Sequence, residues 1–336
     1  MTTHSSPSQN FTRRQVLVAA SASAGVLAWP MAGAQDVYPS KPIKMVHAFA
    51  AGSGTDNTGR VLAERLSQRL GQPVVVENKP GANMILGSEY AAKQPADGYT
   101  MIMVTLDNLG INPSLYRNPG YSTKDFDPLT LVGFLPLVLM SSSGFRYNNL
   151  QELRAAAAAS KQPFSFGTWG VGSVAHMYGE LIKAETGIPF NFIPFQGASP
   201  ATNATLGGHV DLTLASAFTS ATHVKAGNAK ALAIGGTARA ADLPRIATFA
   251  EQGFPNVGAV QWHGVAVRAG GKREIVDKLY ANLREVLQEP ATQEKILKTG
   301  YTAIDARPPA AFASFIDAEA QKWERIVKAS GVTAER

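Results

Sequence analysis

Apolar positions along the chain alternate between short strand-like runs and longer stretches in which they recur every three or four residues. The run "IKMVHAF" leads into Gly52, Ser53 and Gly54. A helical stretch follows, with Val61, Leu62, Leu66 and Leu70 on one face, and Gly71 and Pro73 end it. "VVVEN" predicts a buried strand, Gly81 and Ala82 a turn, "LGSEYAAK" a helix, and "DGYTMIMVT" a third strand.

The same order then repeats. "FSFGTW" reads as a strand and Gly170 and Gly172 as its loop. A helix with Val174, Met177 and Leu181 inward closes at Gly187 and Pro189. "FNFIPF", a turn at Gly197 and Ala198, a helix through "ATNATLGG" and the strand "VDLTLAS" complete the copy. Strand and helix in alternation predict an α/β fold of parallel or mixed sheets, and two copies predict two lobes.

The tail adds two amphipathic helices expected to pack on the first lobe. Residues Arg273 to Gln288 turn Ile275, Val276, Leu279 and Leu283 inward, and Pro309 to Ala329 turn Phe312, Ile316, Trp323 and Val327 inward. Apolar runs without helical period at 131–144 and 254–270 predict two crossings between lobes, hence a hinge and a central cleft. The expected division is domain I at 35–138 and 264–336 and domain II at 139–263.

Residues 1–34 carry the marks of an export signal: the pair Arg13 and Arg14, an apolar segment, and Ala32, Gly33, Ala34 before a cut. The adjacent arginines fit the twin-arginine pattern, with cleavage expected after Ala34 and the periplasm as destination. Ser21, Ser23, Gly25 and Pro30 interrupt the apolar segment, which is also too short for a bilayer span, so the mature chain is expected not to be membrane-inserted.

The net charge of +6 falls to +4 once Arg13 and Arg14 are gone, and the remaining basic residues are interspersed with acids, which argues against nucleic acid as a partner. The absence of cysteine removes disulfides, thiolate metal sites and a thiol nucleophile together.

The chemistry of interest lies in the two glycine loops. Each precedes a helix N-terminus, where unpaired amides and roughly half a positive charge suit a carboxylate. Loops 49–58 and 168–176 contain no lysine or arginine. Recognition would therefore rest on amides and on the hydroxyls of Ser53, Thr55, Thr168 and Ser173. A single glycine turn also serves merely to let a helix pack closely, but two facing loops favour a clamp.

Asp56, in a first helical turn, reads as a dipole-complementing or capping residue, and His176 as a structural hydrogen-bonding group. Trp169, inside a loop, is the least core-like aromatic and suggests a ligand with a flat body. Asn57 spoils G-x-G-x-x-G, and no P-loop follows. Neither Ser53 nor Ser173 has the glycines of a nucleophile elbow, and the histidines lack zinc spacing. No enzyme activity, metal or cofactor is expected.

The ordered motifs "YPSKPIKMVHAFAAGSGTDNTGRVLAERLSQRLGQPVVVENKPGAN", "PADGYT", "INPSLY", "GVGSVAHMYGELIKAETG", "PFQGASPA" and "LGGHVDL" resemble the Bug family, the periplasmic solute receptors of tripartite tricarboxylate transporters. The resemblance runs from about Tyr38 to the C-terminus. It implies a type II-like periplasmic-binding-protein fold that closes on a small carboxylate, a di- or tricarboxylate or an aromatic acid, gripped through loop amides and ordered waters.

Carried onto this chain, the implied ligand-binding set is Phe49, Ala51, Gly52, Ser53, Gly54, Thr55 and Asp56 in the first lobe. In the second it is Thr168, Trp169, Gly170, Gly172, Ser173 and His176, with Gln196, Gly197 and Ala198 on the adjoining turn. The implied partners are membrane transporter subunits; a sensor presenting its ligand to a membrane histidine kinase is the alternative, a periplasmic hydrolase a weaker one, and a monomer is expected. The family usually has tyrosine and lysine where Phe195 and Gln196 stand, valine and proline where His47 and Ala48 stand, and two glycines where Gly52 and Ser53 stand.

Overall fold

Two parallel three-stranded blocks of the same order stand at opposite ends of one mixed sheet. Strands β1 (Ile43–His47), β2 (Val74–Asn78) and β3 (Thr100–Thr105) form the first block in the order β2-β1-β3. Strands β5 (Phe164–Thr168), β6 (Phe190–Pro194) and β7 (Leu212–Ser216) form the second in the order β6-β5-β7. The computed structural model describes residues 1, 2, 38–52, 54–160 and 162–334, so the expected signal and its cleavage site lie outside the described residues except for the first two. Residues 39–336 form one compact unit.

The blocks are joined by two antiparallel strands, the 17-residue β4 (Phe126–Ser142) and β9 (Val260–Arg268). β9 pairs with β3 on one side and with β4 from Phe126 to Pro136 on the other. From Leu137 onward β4 pairs instead with β7, and from Val138 with β8 (Ala229–Ile234). One strand thus serves both halves, so the two expected sheets meet as a single ten-stranded sheet. The apolar crossings at 131–144 and 254–270 are these two strands.

Helices α1 (Gly54–Leu70), α2 (Ile85–Ala92), α3 (Leu150–Ser160), α4 (Val174–Thr186), α5 (Ala198–Leu206), α6 (Ala217–Lys225), α7 (Arg273–Gln288), α8 (Pro290–Leu297) and α9 (Pro309–Ser330) supply the crossovers and the tail. α4 buries Val174, Met177 and Leu181 and ends at Gly187, whose φ of 72° only glycine adopts without strain.

Two expectations change. The strand at 74–78 is not buried: it is an edge with a single neighbour, and Val75 is 55 % exposed. The last helix buries Phe312, Ile316, Trp323 and Val327, but it packs on α4 as well as on the first half. Its hold on the second half comes from Trp323, whose ring meets Tyr178 of α4 edge-on at 4.8 Å.

Gly264 of β9 lies directly against Phe312 of α9. A Cβ there would lie 2.2 Å from Phe312 Cζ and 2.9 Å from the Thr130 carbonyl. Gly264→Ala is therefore expected to cost about 2 kcal/mol by overpacking, read by urea unfolding, and Phe312→Leu in the same chain should recover part of that loss.

Candidate functional site

Both glycine loops lie where ligands bind in open α/β sheets, at the carboxyl ends of parallel strands: 48–53 after β1 and 169–173 after β5. Ser53 lies outside the described residues. Ala51 and Gly52 are exposed, Phe49 and Thr55 half-buried, and Gly54 opens α1.

Asp56 anchors the first loop. It is 1 % exposed, and it accepts hydrogen bonds from the Gly52 amide (2.9 Å), Arg60 Nε (2.8 Å) and Asn78 Nδ2 (2.8 Å). Asn78 Nδ2 also donates to the Phe49 carbonyl. Burial pushes the Asp56 pKa up, but the bonds from Arg60, Asn78 and Gly52 prevail and hold it below the usual carboxylate range. The loop is thereby tied at both ends to the end of β2.

Beneath this loop sit two buried histidines. His47 ends β1, and its ring fills the space a Cβ at Gly59 would need, with Nε2 only 1.9 Å from that position. Neither His47 nitrogen has a hydrogen-bond partner; Nδ1 stands 3.8 Å from Asp56. His263 of β9 bonds Tyr301 OH through Nδ1 at 2.6 Å, while its Nε2 is unpartnered, and the Phe49 ring lies over it at 5.9 Å. Burial lowers the pKa of His47 to about 4, against the attraction of Asp56, and that of His263 to about 3, helped by repulsion from His47.

The second loop is committed at more points. Ser173 caps α4: its hydroxyl donates to the Gly170 carbonyl (2.8 Å) and accepts from the His176 amide (3.4 Å). His176 Nδ1 in turn accepts from the Gly172 amide at 2.9 Å. Thr168 Oγ1 donates to the Gly170 carbonyl, and Trp169 Nε1 to the Leu214 carbonyl at 3.0 Å. The Trp169 indole packs against the main core, so this loop tryptophan is more core-like than its position in the sequence suggests. On the neighbouring turn Gln196 and Ala198 are exposed and Gly197 takes φ 109°.

Three residues of the first half meet this loop, and none of them stands out in the sequence as a site residue. Asp107, fully buried in the π-helix 106–111 that follows β3, accepts from the Val174 amide at 3.1 Å and from Gln261 Nε2 of β9 at 2.9 Å. Burial raises its pKa to about 6, partly offset by those bonds. Asn83 Nδ2 reaches the Gly172 carbonyl at 3.5 Å, and Leu115 fills the space beside Gly172, where a Cβ would come within 2.0 Å of Cδ2.

Asn83 sits in a turn whose non-glycine residues Ala82, Asn83 and Met84 all have positive φ, an uncommon backbone that is held by its surroundings. Asn112 holds it at backbone and side chain, donating through Nδ2 to the Asn83 backbone carbonyl (2.7 Å) and accepting at Oδ1 from Asn83 Nδ2 (3.0 Å). Tyr121 and Asn108 complete this buried network. The signal available in the sequence was the polar pattern inside "TLDNLGINPSLY", an apolar stretch with Asp107, Asn108 and Asn112 set into it.

Each glycine loop is thus held by hydrogen bonds within the protein, and among the described residues no group of three or more His, Cys, Asp or Glu could hold a metal ion. Against known proteins, the family model "Tripartite tricarboxylate transporter family receptor" matches residues 58–332. The chain belongs to that receptor family. Protein BugT of Bordetella pertussis (strain Tohama I) is 34 % identical over 96 % of this chain and 98 % of its own. A solved R. palustris protein with adipate is 28 % identical with TM-score 0.80, over 89 % of this chain and 100 % of its own.

MatC from Rhodopseudomonas palustris with bound malate is 26 % identical with TM-score 0.77, over 86 % of this chain and 100 % of its own. The receptor is accordingly a two-lobed solute-binding protein and not an enzyme. Receptors of this family are periplasmic, and among the described residues no helix is long and apolar enough to cross a membrane.

The receptor's buried histidines set an acid limb to its stability. Each is neutral when folded and takes up a proton near pH 6.5 when unfolded, so stability is full above 6.5 and is lost as pH falls toward about 4. Asp107 works the other way and returns part of the loss below about 6. Removing His47 by His47→Val should reduce the drop between pH 7 and pH 5 by about 2 kcal/mol. Gly59→Ala alone should destabilise through the clash with the ring, and His47→Val should rescue it; thermal unfolding of the two single variants and the double variant reads both effects.

Proposed function

We propose that this receptor captures a small organic carboxylate, a dicarboxylate first of all, in the cleft between its lobes and delivers it to a tripartite tricarboxylate-type membrane transporter. The observation that carries this reading is the match, over nearly nine tenths of the chain, to solved proteins holding adipate and malate. The proposed contacts are the loop at Phe49, Ala51, Gly52, Ser53, Gly54 and Thr55, the loop at Thr168 to Ser173, and the turn at Gln196 to Ala198.

The internal hydrogen bonds refine which groups are free for a ligand. The amides of Gly52, Gly172, Val174 and His176 already have protein acceptors, and Asp56 and His176 serve as two of those acceptors. Both therefore act behind the contact surface, shaping the loops that touch the ligand. Export through the twin-arginine signal with cleavage after Ala34 would deliver the chain to the compartment its family occupies. The proposed hinge lies where β4 changes partners, at Pro136 and Leu137, and where the chain enters β9.

Thermal unfolding against adipate, malate, tricarboxylates, aromatic acids, acidic amino acids and neutral sugars tests the reading. A ligand at 100 times its Kd adds about 2.7 kcal/mol and should raise Tm by about 5 °C. Gly52 has φ 81° and open space around its missing Cβ. Gly52→Val should therefore abolish the shift while changing the Tm of the empty protein by only a few degrees. A shift with sugars alone, or none with any acid, would sink the proposal.

A further inference from the structure

The carboxylate of Asp107 occupies a position in the fold that a ligand-binding role for α4 alone does not require. It belongs to the first half of the sheet, as do Thr105, which accepts from its amide at 3.2 Å, and Gln261. Yet one of its oxygens lies on the first amide of α4, in the second half. A carboxylate at a helix N-terminus satisfies an amide that has no intrahelical partner and meets the positive end of the helix dipole. Opening the lobes would break this bond and return both groups to water.

We propose that Asp107 is the closure latch of the receptor: its carboxylate stands where an incoming anion would otherwise bind α4 and holds the second loop against the first lobe when the cleft shuts. Asn83 is the weaker second point of the latch, through its 3.5 Å contact with the Gly172 carbonyl. The network of Asn112, Tyr121 and Asn108 fixes the turn that presents it.

Two features suit a latch better than permanent glue. The first is balance: burying a charge is costly, and its bonds to Val174 and Gln261 only offset that cost, so the closed empty state lies near equilibrium with the open one and a ligand can tip it. The second is geometry. Two residues before the amide that meets Asp107, Leu115 leaves no room for a Cβ at Gly172, so the seam closes in one register. Asp107 is a positioning residue; the ligand is gripped by the glycine loops, and Asp107 decides how long they stay shut.

The test has a readout that needs no ligand and one that does. The chain has no cysteine, so Lys93→Cys, which caps the end of α2, and Ala155→Cys on α3 accept a pair of spin labels cleanly. In the empty protein the label distances should show a closed population. It should be lost in Asp107→Ala and reduced in Asp107→Asn, which keeps an oxygen for the Val174 amide but no charge. Gln261→Ala, which frees the other oxygen, should shift the population the same way by less. With adipate as probe, Asp107→Ala should raise the dissociation rate about tenfold and leave the association rate within about twofold, as the loss of one charge-assisted hydrogen bond predicts.

The dissociation readout rests on the carboxylate reading; the distance readout does not. If adipate and malate both fail to bind but the closed population still depends on Asp107, the latch stands and the ligand class falls. An unchanged closed population in Asp107→Ala and Gln261→Ala, both folded by circular dichroism, overturns the latch whatever the ligand. A tenfold loss of affinity carried by the association rate overturns it as well.

Discussion

A helix that begins inside a protein brings amides that its own turns cannot satisfy, and each must find an acceptor or a ligand. In this receptor that requirement is met at α4 from three directions. Ser173 serves the His176 amide, the His176 ring serves Gly172, and Asp107 reaches from the other half of the sheet to serve Val174. At the first loop Asp56 does the same for Gly52 while Arg60 and Asn78 hold its charge in place. Both glycine loops are thus stiffened by protein acceptors before any ligand arrives, and ligand contact falls to the backbone that remains free. Preorganisation of this kind lowers the ordering cost of binding.

The duplicated strand order places the two loops at matching points, but β4 allows them to act together. Its first part pairs with β9 and its last part with β7 and β8, so the same strand transmits the position of one block to the other. A change of partner within one strand is a natural place for bending, because few backbone bonds must break. The tail helix α9 limits that bending by packing on both halves, through Phe312 against the sheet and Trp323 against Tyr178.

Much of this was legible in the sequence because it depends on local pattern. The run IKMVH, the glycine turn and the spacing of Leu62 and Leu66 define a strand, loop and helix without reference to the rest of the chain. The repetition at 164–216 then gives the two blocks. What stayed hidden depends on contacts far apart in the chain. Val75 looks like a core residue until β2 is seen to be an edge strand. Trp169 looks exposed until its indole nitrogen finds Leu214. Asp107 is a lone acid in an apolar stretch, and only the fold brings Val174 and Gln261 to it. The space that admits His47 is likewise a property of Gly59, twelve residues away, and of nothing visible at position 47 itself.

Amide-resolved hydrogen exchange across residues 168–177 of the ligand-free protein tests the internal commitment of these loops most directly. The amides of Gly172 and His176 are predicted to exchange slowly, at rates like those of the interior of α4, because each has an acceptor within its own half, whereas that of Val174, whose acceptor Asp107 lies across the cleft, is predicted to exchange faster. Fast exchange at both Gly172 and His176 in the empty protein, slowing only when a diacid is added, would contradict that commitment. The second loop would then be an open anion site that the ligand alone completes.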